Sequence, residues 1–118
     1  MEMDMDKHSQ AWREQVQRLN DKFRTRGLGI GSLMITSGVR AAGAEFVAAA
    51  LGAVREYTAF GSDNDPYGEH DFGAFDLGGQ RLFFKFDYYD RALQGHSPDA
   101  ADPKQTHRVL TVMLASEY

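Results

Sequence analysis

The stretch that decides the fold is Phe72-Gly73-Ala74-Phe75-Asp76-Leu77-Gly78-Gly79-Gln80-Arg81-Leu82-Phe83-Phe84-Lys85-Phe86-Asp87-Tyr88-Tyr89. Two runs of alternating apolar residues meet at paired glycines, and glycine supplies the positive φ that a two-residue hairpin turn needs. With Gly78-Gly79 as the turn, the register follows. Leu77 faces Gln80, Phe75 faces Leu82 and Gly73 faces Phe84, while on the other face Asp76 meets Arg81, Ala74 meets Phe83, Phe72 meets Lys85 and His70 meets Asp87. The last pair sets a carboxylate beside an imidazole. That arrangement fixes the imidazole tautomer for acid–base chemistry, or equally stitches the base of the hairpin as a plain cross-strand polar pair.

Upstream lies an acidic, aromatic loop, Asp63-Asn64-Asp65-Pro66-Tyr67-Gly68-Glu69-His70-Asp71. No Lys or Arg falls between Arg55 and Arg81, whereas Asp63, Asp65, Glu69, Asp71 and Asp76 all do. Carboxylates crowded without counter-charge attract a cation or a basic partner. Asp63, Asp65 and Gly68 match the first, third and sixth places of a calcium loop, but Tyr67 and Ala74 stand at the fifth and twelfth, so the bidentate glutamate is missing. A structural role suits the same residues: Asp63 and Asn64 form side-chain turns, Pro66 fixes a bend and Gly68 accepts an unusual backbone. Asp63, Asp65, Tyr67, Glu69 and Asp71 are thus the candidate partner-binding residues, and His70, Asp87 and Lys85 the candidate catalytic ones. Asp63, Asp65 and Glu69 are weak metal candidates, and no cofactor is expected.

Towards the N-terminus, Ser9 caps a helix running to about Arg26, with Trp12, Val16, Leu19 and Phe23 as its apolar stripe. Arg18, Lys22 and Arg26, with Arg13 and Arg24 nearby, read as a solvated basic face or a contact for an acidic partner. Gly27-Leu28-Gly29-Ile30-Gly31-Ser32 has the look of a phosphate loop, yet it follows a helix and precedes a strand at 33–36, the reverse of a dinucleotide fingerprint. Its glycines end the helix instead. A second helix over 44–57 presents Phe46, Val47, Ala50, Leu51, Val54 and Tyr57 on one face. Beyond the hairpin, residues 94–103 are turn formers. Asp102, Pro103 and Gln105 have the order of a helix start, which predicts a terminal helix over 103–117, while the β-branched run from Thr106 keeps a buried strand as the alternative.

Together these readings predict an α+β fold: one domain spanning 1–118, in the order helix, strand, helix, β-hairpin, helix, with an antiparallel sheet packed by Trp12, Phe23, Leu51 and Phe84. At 118 residues and 42% hydrophobic the chain has material for a single core, and no stretch approaches the roughly 20 apolar residues of a membrane span. The absence of cysteine excludes disulfides and thiolate metal sites. Residues 1–8 read as loosely ordered, and Met1-Glu2-Met3-Asp4-Met5-Asp6 lacks the basic and apolar regions of a secretory signal, so the expected location is cytoplasmic. A net charge of -4 argues against direct nucleic-acid binding.

The runs DNDPYGEHDFG (63–73), FFKFDYYD (83–90), SPDAADP (97–103) and RVLTVMLASEY (108–118) resemble the signature of a family of small bacterial proteins classed as a domain of unknown function. That family is largely proteobacterial and often encoded on plasmids or other mobile elements. The resemblance spans 33–118, with Phe84 where the pattern has tryptophan and Ala100 where it has proline. It carries no catalytic role to any residue. Two function classes follow: a non-enzymatic binding module, such as a mobile-element-encoded inhibitor or regulator whose acidic loop docks on a basic nucleic-acid-processing or host-defence protein, or a metal-assisted or acid–base hydrolase built on His70, Asp87 and neighbouring carboxylates. No membrane partner is expected, and the oligomeric state is left open.

Overall fold

Ser9 accepts a hydrogen bond from the Trp12 amide at 3.2 Å and starts α1 (Gln10–Arg26), which Gly27 ends in the left-handed conformation at φ 67°. This computed structural model describes residues 6–118, so residues 1–5 of the expected loose tail lie outside the described residues. Residues 6–9 form a turn, with the Ser9 amide donating to the Asp6 carbonyl at 3.0 Å. The buried stripe of α1 is Trp12, Val16, Asn20 and Arg24, spaced four apart, with Leu19 and Phe23 half-buried at its flank. Arg24 therefore leaves the basic face on which the sequence puts it, whereas Arg18, Lys22 and Arg26 are exposed.

After α1 come β1 (Gly31–Ile35), a short α2 (Ser37–Ala41) and α3 (Ala44–Glu56). The hairpin is β2 (Phe72–Leu77) and β3 (Gln80–Tyr89), turning on Gly78 and Gly79 at φ 57° and 79°. Its six paired positions, from Leu77 with Gln80 out to Phe72 with Lys85, are those the glycine turn implies. The pairing stops there. His70 has φ 55° and lies outside the strand, so the expected His70–Asp87 pair does not form.

The terminal helix is also corrected. Residues His107–Leu114 form β4, followed by a single 3₁₀ turn at Ala115–Glu117. Strand β4 sits between β1 and β3 in the order β1-β4-β3-β2, pairing antiparallel with β3 and parallel with β1, so the sheet is mixed rather than antiparallel. An interior strand gains a ladder on both edges, and the β-branched residues of this segment suit that place. The helix-start signal survives only as a turn, in which Asp102 accepts from the Lys104 amide and from Gln105.

The helices pack on one face of the sheet. There Val39, Ala50 and Val54 meet Leu82, Phe84, Phe86, Leu110 and Val112, with Phe23 and Leu51 at the margin. Each buried Val, Leu or Phe side chain among them contributes roughly 1.5–3 kcal/mol. Trp12 is not part of that core; with Val16, Ala100 and Ala101 it makes a second, smaller cluster beside Tyr88. Among the described residues, no helix is long and apolar enough to cross a membrane.

Candidate functional site

The acidic loop runs from the end of α3 to the start of β2, and its polar residues bond partly to the loop itself and partly to α1 and β3. Asn64 accepts from the Gly61 amide at 2.8 Å and donates to the Tyr57 hydroxyl at 2.9 Å and the Ala59 carbonyl at 3.1 Å. Asp65 is buried, and its Oδ1 accepts from the amides of Glu69 and His70 at 2.9 and 3.1 Å. A carboxylate receiving two backbone N–H groups closes the turn through Pro66 to Gly68, a stronger version of an Asx turn.

His70 is turned towards α1. Its ring lies flat on Phe60, centroids 3.8 Å apart, its Nδ1 stands 2.9 Å from Asp21 and its Nε2 3.8 Å from Asp65. Asp21 in turn accepts from Arg24 at 2.9 Å, and the Arg24 guanidinium donates to the carbonyls of Val54 and Tyr57 at 2.7 and 3.1 Å. These bonds tie α1 to the end of α3 and to the loop. The unusual φ of His70, worth on the order of 1 kcal/mol or more of strain, is held by the Nδ1 contact with Asp21 and the stacking on Phe60.

A second network lies on the other side of Glu69. The buried Asn20 donates to the Glu69 carbonyl at 3.1 Å and to the Tyr88 hydroxyl at 2.8 Å, and accepts from Arg108 at 2.8 Å. Tyr88 donates onward to Glu69 Oε1 at 3.0 Å, and Arg108 donates to the Ala100 carbonyl. Burial pushes the Tyr88 phenol up and the Arg108 guanidinium down from their ordinary values, with Glu69 opposing the second shift. One side of this network borders a cleft of about 430 Å³ lined by Trp12, Glu69, Asp87, Tyr88, His96 and Asp99.

Asp71 is the perturbed acid of the region. Its carbonyl accepts from the Phe86 amide at 2.9 Å, which continues the hairpin one step past the ladder. Burial, reinforced by the charges of Glu69, Asp65 and Asp87, pushes its carboxyl up to about 6. Lys85 and Asp87 pair with each other at 2.7 Å on the sheet face away from the helices, and that bond raises the Lys85 ammonium.

Of the sequence candidates, then, Asp65, Glu69 and His70 come together in the interior of the loop, with Asp71 half-buried beside them. Asp63 and Tyr67 point outward, with the Arg13 guanidinium 5.2 Å from the Tyr67 ring centroid. Lys85 and Asp87 stand apart from His70. Among the described residues, no group of three or more His, Asp or Glu side chains is placed to hold a metal ion. Asn20, Asp21, Tyr88 and Arg108 are partners that the sequence reading does not single out, and Arg24 is one that it assigns to the basic face instead. Their one signal is that Asn20 and Arg24 continue the four-residue spacing of Trp12 and Val16, polar residues at stripe positions.

The model of a family described as "Protein of unknown function (DUF3768)" matches residues 35–117, and the chain belongs to that family. No curated protein and no solved structure matches it.

Proposed function

We propose that this member of the family is a non-enzymatic protein-binding module, a small regulator that acts by occupying a partner's surface. What supports the reading is the destination of the loop's polar groups. A catalytic acid, base or nucleophile has to offer a proton or lone pair to a substrate. Here Asn64 and Asp65 close the turn, His70 is stacked on Phe60 and bound by Asp21, Glu69 is held by Tyr88, and Lys85 is paired with Asp87. A loop so occupied makes a rigid frame and leaves Asp63 and Tyr67 as its outward side chains. An acidic docking contact through this loop would rest on Asp63 and Tyr67, since Asp65 and Glu69 are turned inward.

One observation favours the second reading, a hydrolase. A carboxyl that titrates at about 6 is suited to general-acid work near neutrality, and Asp71 is such a group beside Glu69. The two readings separate in one experiment. Purified protein is incubated with chromogenic phosphodiester, ester, glycoside and peptide substrates across the acidic to neutral range, alongside Asp71→Asn and Glu69→Gln. The module reading predicts no turnover above buffer for any of the three proteins. Turnover by the parent that disappears in Asp71→Asn overturns it.

A further inference from the structure

Among the described residues, strand β1 is an edge of the sheet, bonded only to β4. The Arg108 amide donates to the Ile30 carbonyl and the Thr36 amide donates to the Val112 carbonyl. Bonds along a parallel strand alternate, so even-numbered residues face β4, and Gly31, Leu33 and Ile35 direct their N–H and C=O groups out of the sheet. Of those, the Ile35 carbonyl is met by Arg40 Nε at 3.1 Å. From Gly27 to Val39 there is no charged residue and no proline, two of the devices that blunt a free edge. Leu28, Ile30, Leu33 and Met34 are between 38% and 54% exposed along this segment.

Beside the edge, on the helix side, lies a groove of about 520 Å³ lined by Phe23, Arg26, Leu33, Leu51, Arg55 and Leu110. It is apolar at its floor and basic at its rim. Arg26 and Arg55 are exposed, as is Arg40 at the Ile35 end, and among the described residues none of the three is in an ion pair. Glu117, the carboxylate at that end, is already held by the Thr36 hydroxyl and the amides of Gly38 and Leu114.

We infer that β1 is a docking edge that takes an extended, apolar segment of a partner protein with acidic residues at its ends, adding a fifth strand to the sheet. Resting on the binding-module reading, this names the partner's chemistry and the place where it binds. Backbone bonds to Gly31, Leu33 and the Ile35 amide supply affinity, the Ile35 carbonyl being taken by Arg40; an apolar side chain enters the groove over Leu33 and Leu110; and Asp or Glu flanks meet Arg26, Arg55 and the outer nitrogens of Arg40. Charge also argues against a second copy of this chain as the occupant. A two-fold antiparallel pairing of β1 brings together two edges that each carry the exposed Arg26, Arg55 and Arg40, with no Asp or Glu between 27 and 39 to oppose them.

The experiment uses three short synthetic peptides of alternating Val and Thr: one with Glu at both ends, one with Lys at both ends, and one Glu-ended but N-methylated at alternate amides. Amide NMR on the whole chain maps binding, and calorimetry measures it. The Glu-ended peptide should shift Gly31, Leu33 and Ile35 and slow their exchange, and the methylated peptide should not bind. Reversing Arg26 and Arg55 to Glu should weaken it by tenfold or more, of order 1.4 kcal/mol, and should favour the Lys-ended peptide. Leu33 is 44% exposed, so Leu33→Lys should keep the fold, checked by its amide spectrum, and should lose the peptide. Equal binding of the Glu- and Lys-ended peptides, no binding at all, or shifts that map elsewhere would overturn the inference. So would a dimer of the free protein that Leu33→Lys dissociates, since the occupant is then a second copy. Each of these results arises without any substrate turnover, so the edge can fail while the module reading stands.

Discussion

Replacing Asp71 by Asn should make the protein more stable at neutral pH. The carboxyl of Asp71 is raised from 3.8 to about 6 by burial and by the neighbouring charges of Glu69, Asp65 and Asp87. The folded state therefore holds this proton more tightly than the unfolded chain does. Its stabilising contribution is complete below 3.8 and is lost as pH rises through about 6, above which the folded state carries an unfavourable carboxylate. A displacement of that size corresponds to about 3 kcal/mol, and because the group is only partly buried, solvent screening reduces it to about 1–2 kcal/mol. Urea unfolding followed by the fluorescence of Trp12 reads the difference. Asp71→Asn should exceed the parent by about 1–2 kcal/mol near pH 7.5, and the gap should close to within about 0.5 kcal/mol near pH 4. A variant that is less stable at both pH values, or a difference that does not change with pH, would refute the assignment of Asp71 as a strained charge.

Asn20→Ala removes the amide shared by Glu69, Tyr88 and Arg108 and leaves a buried guanidinium short of an acceptor, so it should cost about 2–4 kcal/mol in the same urea assay with an unchanged slope. In Gly73→Ala the new methyl meets the Phe84 ring and Tyr57, and this overpacking should cost about 1–3 kcal/mol, whereas Gly61→Ala, with nothing within 4 Å, serves as the neutral control. Asp87→Asn should lower the Lys85 ammonium from its raised value in an NMR titration, because the hydrogen bond between them is the main cause of the shift.

The six pairs of the hairpin ladder were legible because two glycines locate its turn and a period of two then fixes the partners. That logic ran out at His70. A positive φ takes its side chain off the ribbon, and the force that turns it is tertiary: Asp21 on α1, distant in sequence, binds its ring. The end of the chain shows the complementary failure. Asp102 does cap the Lys104 amide as at a helix start, but two flanking strands recruit His107–Leu114 into the sheet, and a ladder on each edge outweighs one capped turn. In α1 the periodicity was right and the residue class misled. Arg24 and Asn20 sit on the buried stripe because carbonyls and side chains from α3, the loop and β4 await them, partners that a reading of exposed charge does not supply. Likewise the acidic gap from Asp63 to Asp71 suggests an outward field, whereas two of its carboxylates satisfy donors inside the protein.

The claim that the acidic loop is spent on holding its own shape is tested most directly by hydrogen exchange at the amides of Glu69 and His70, which donate to Asp65 at 2.9 and 3.1 Å. In the parent protein these two amides should exchange as slowly as those of β3, through global rather than local opening. In Asp65→Ala they should speed up by about a hundredfold relative to β3, the equivalent of the roughly 3 kcal/mol carried by a buried carboxylate that accepts two amides. Fast, local exchange at Glu69 and His70 in the parent, or rates unmoved by the substitution, would contradict the account.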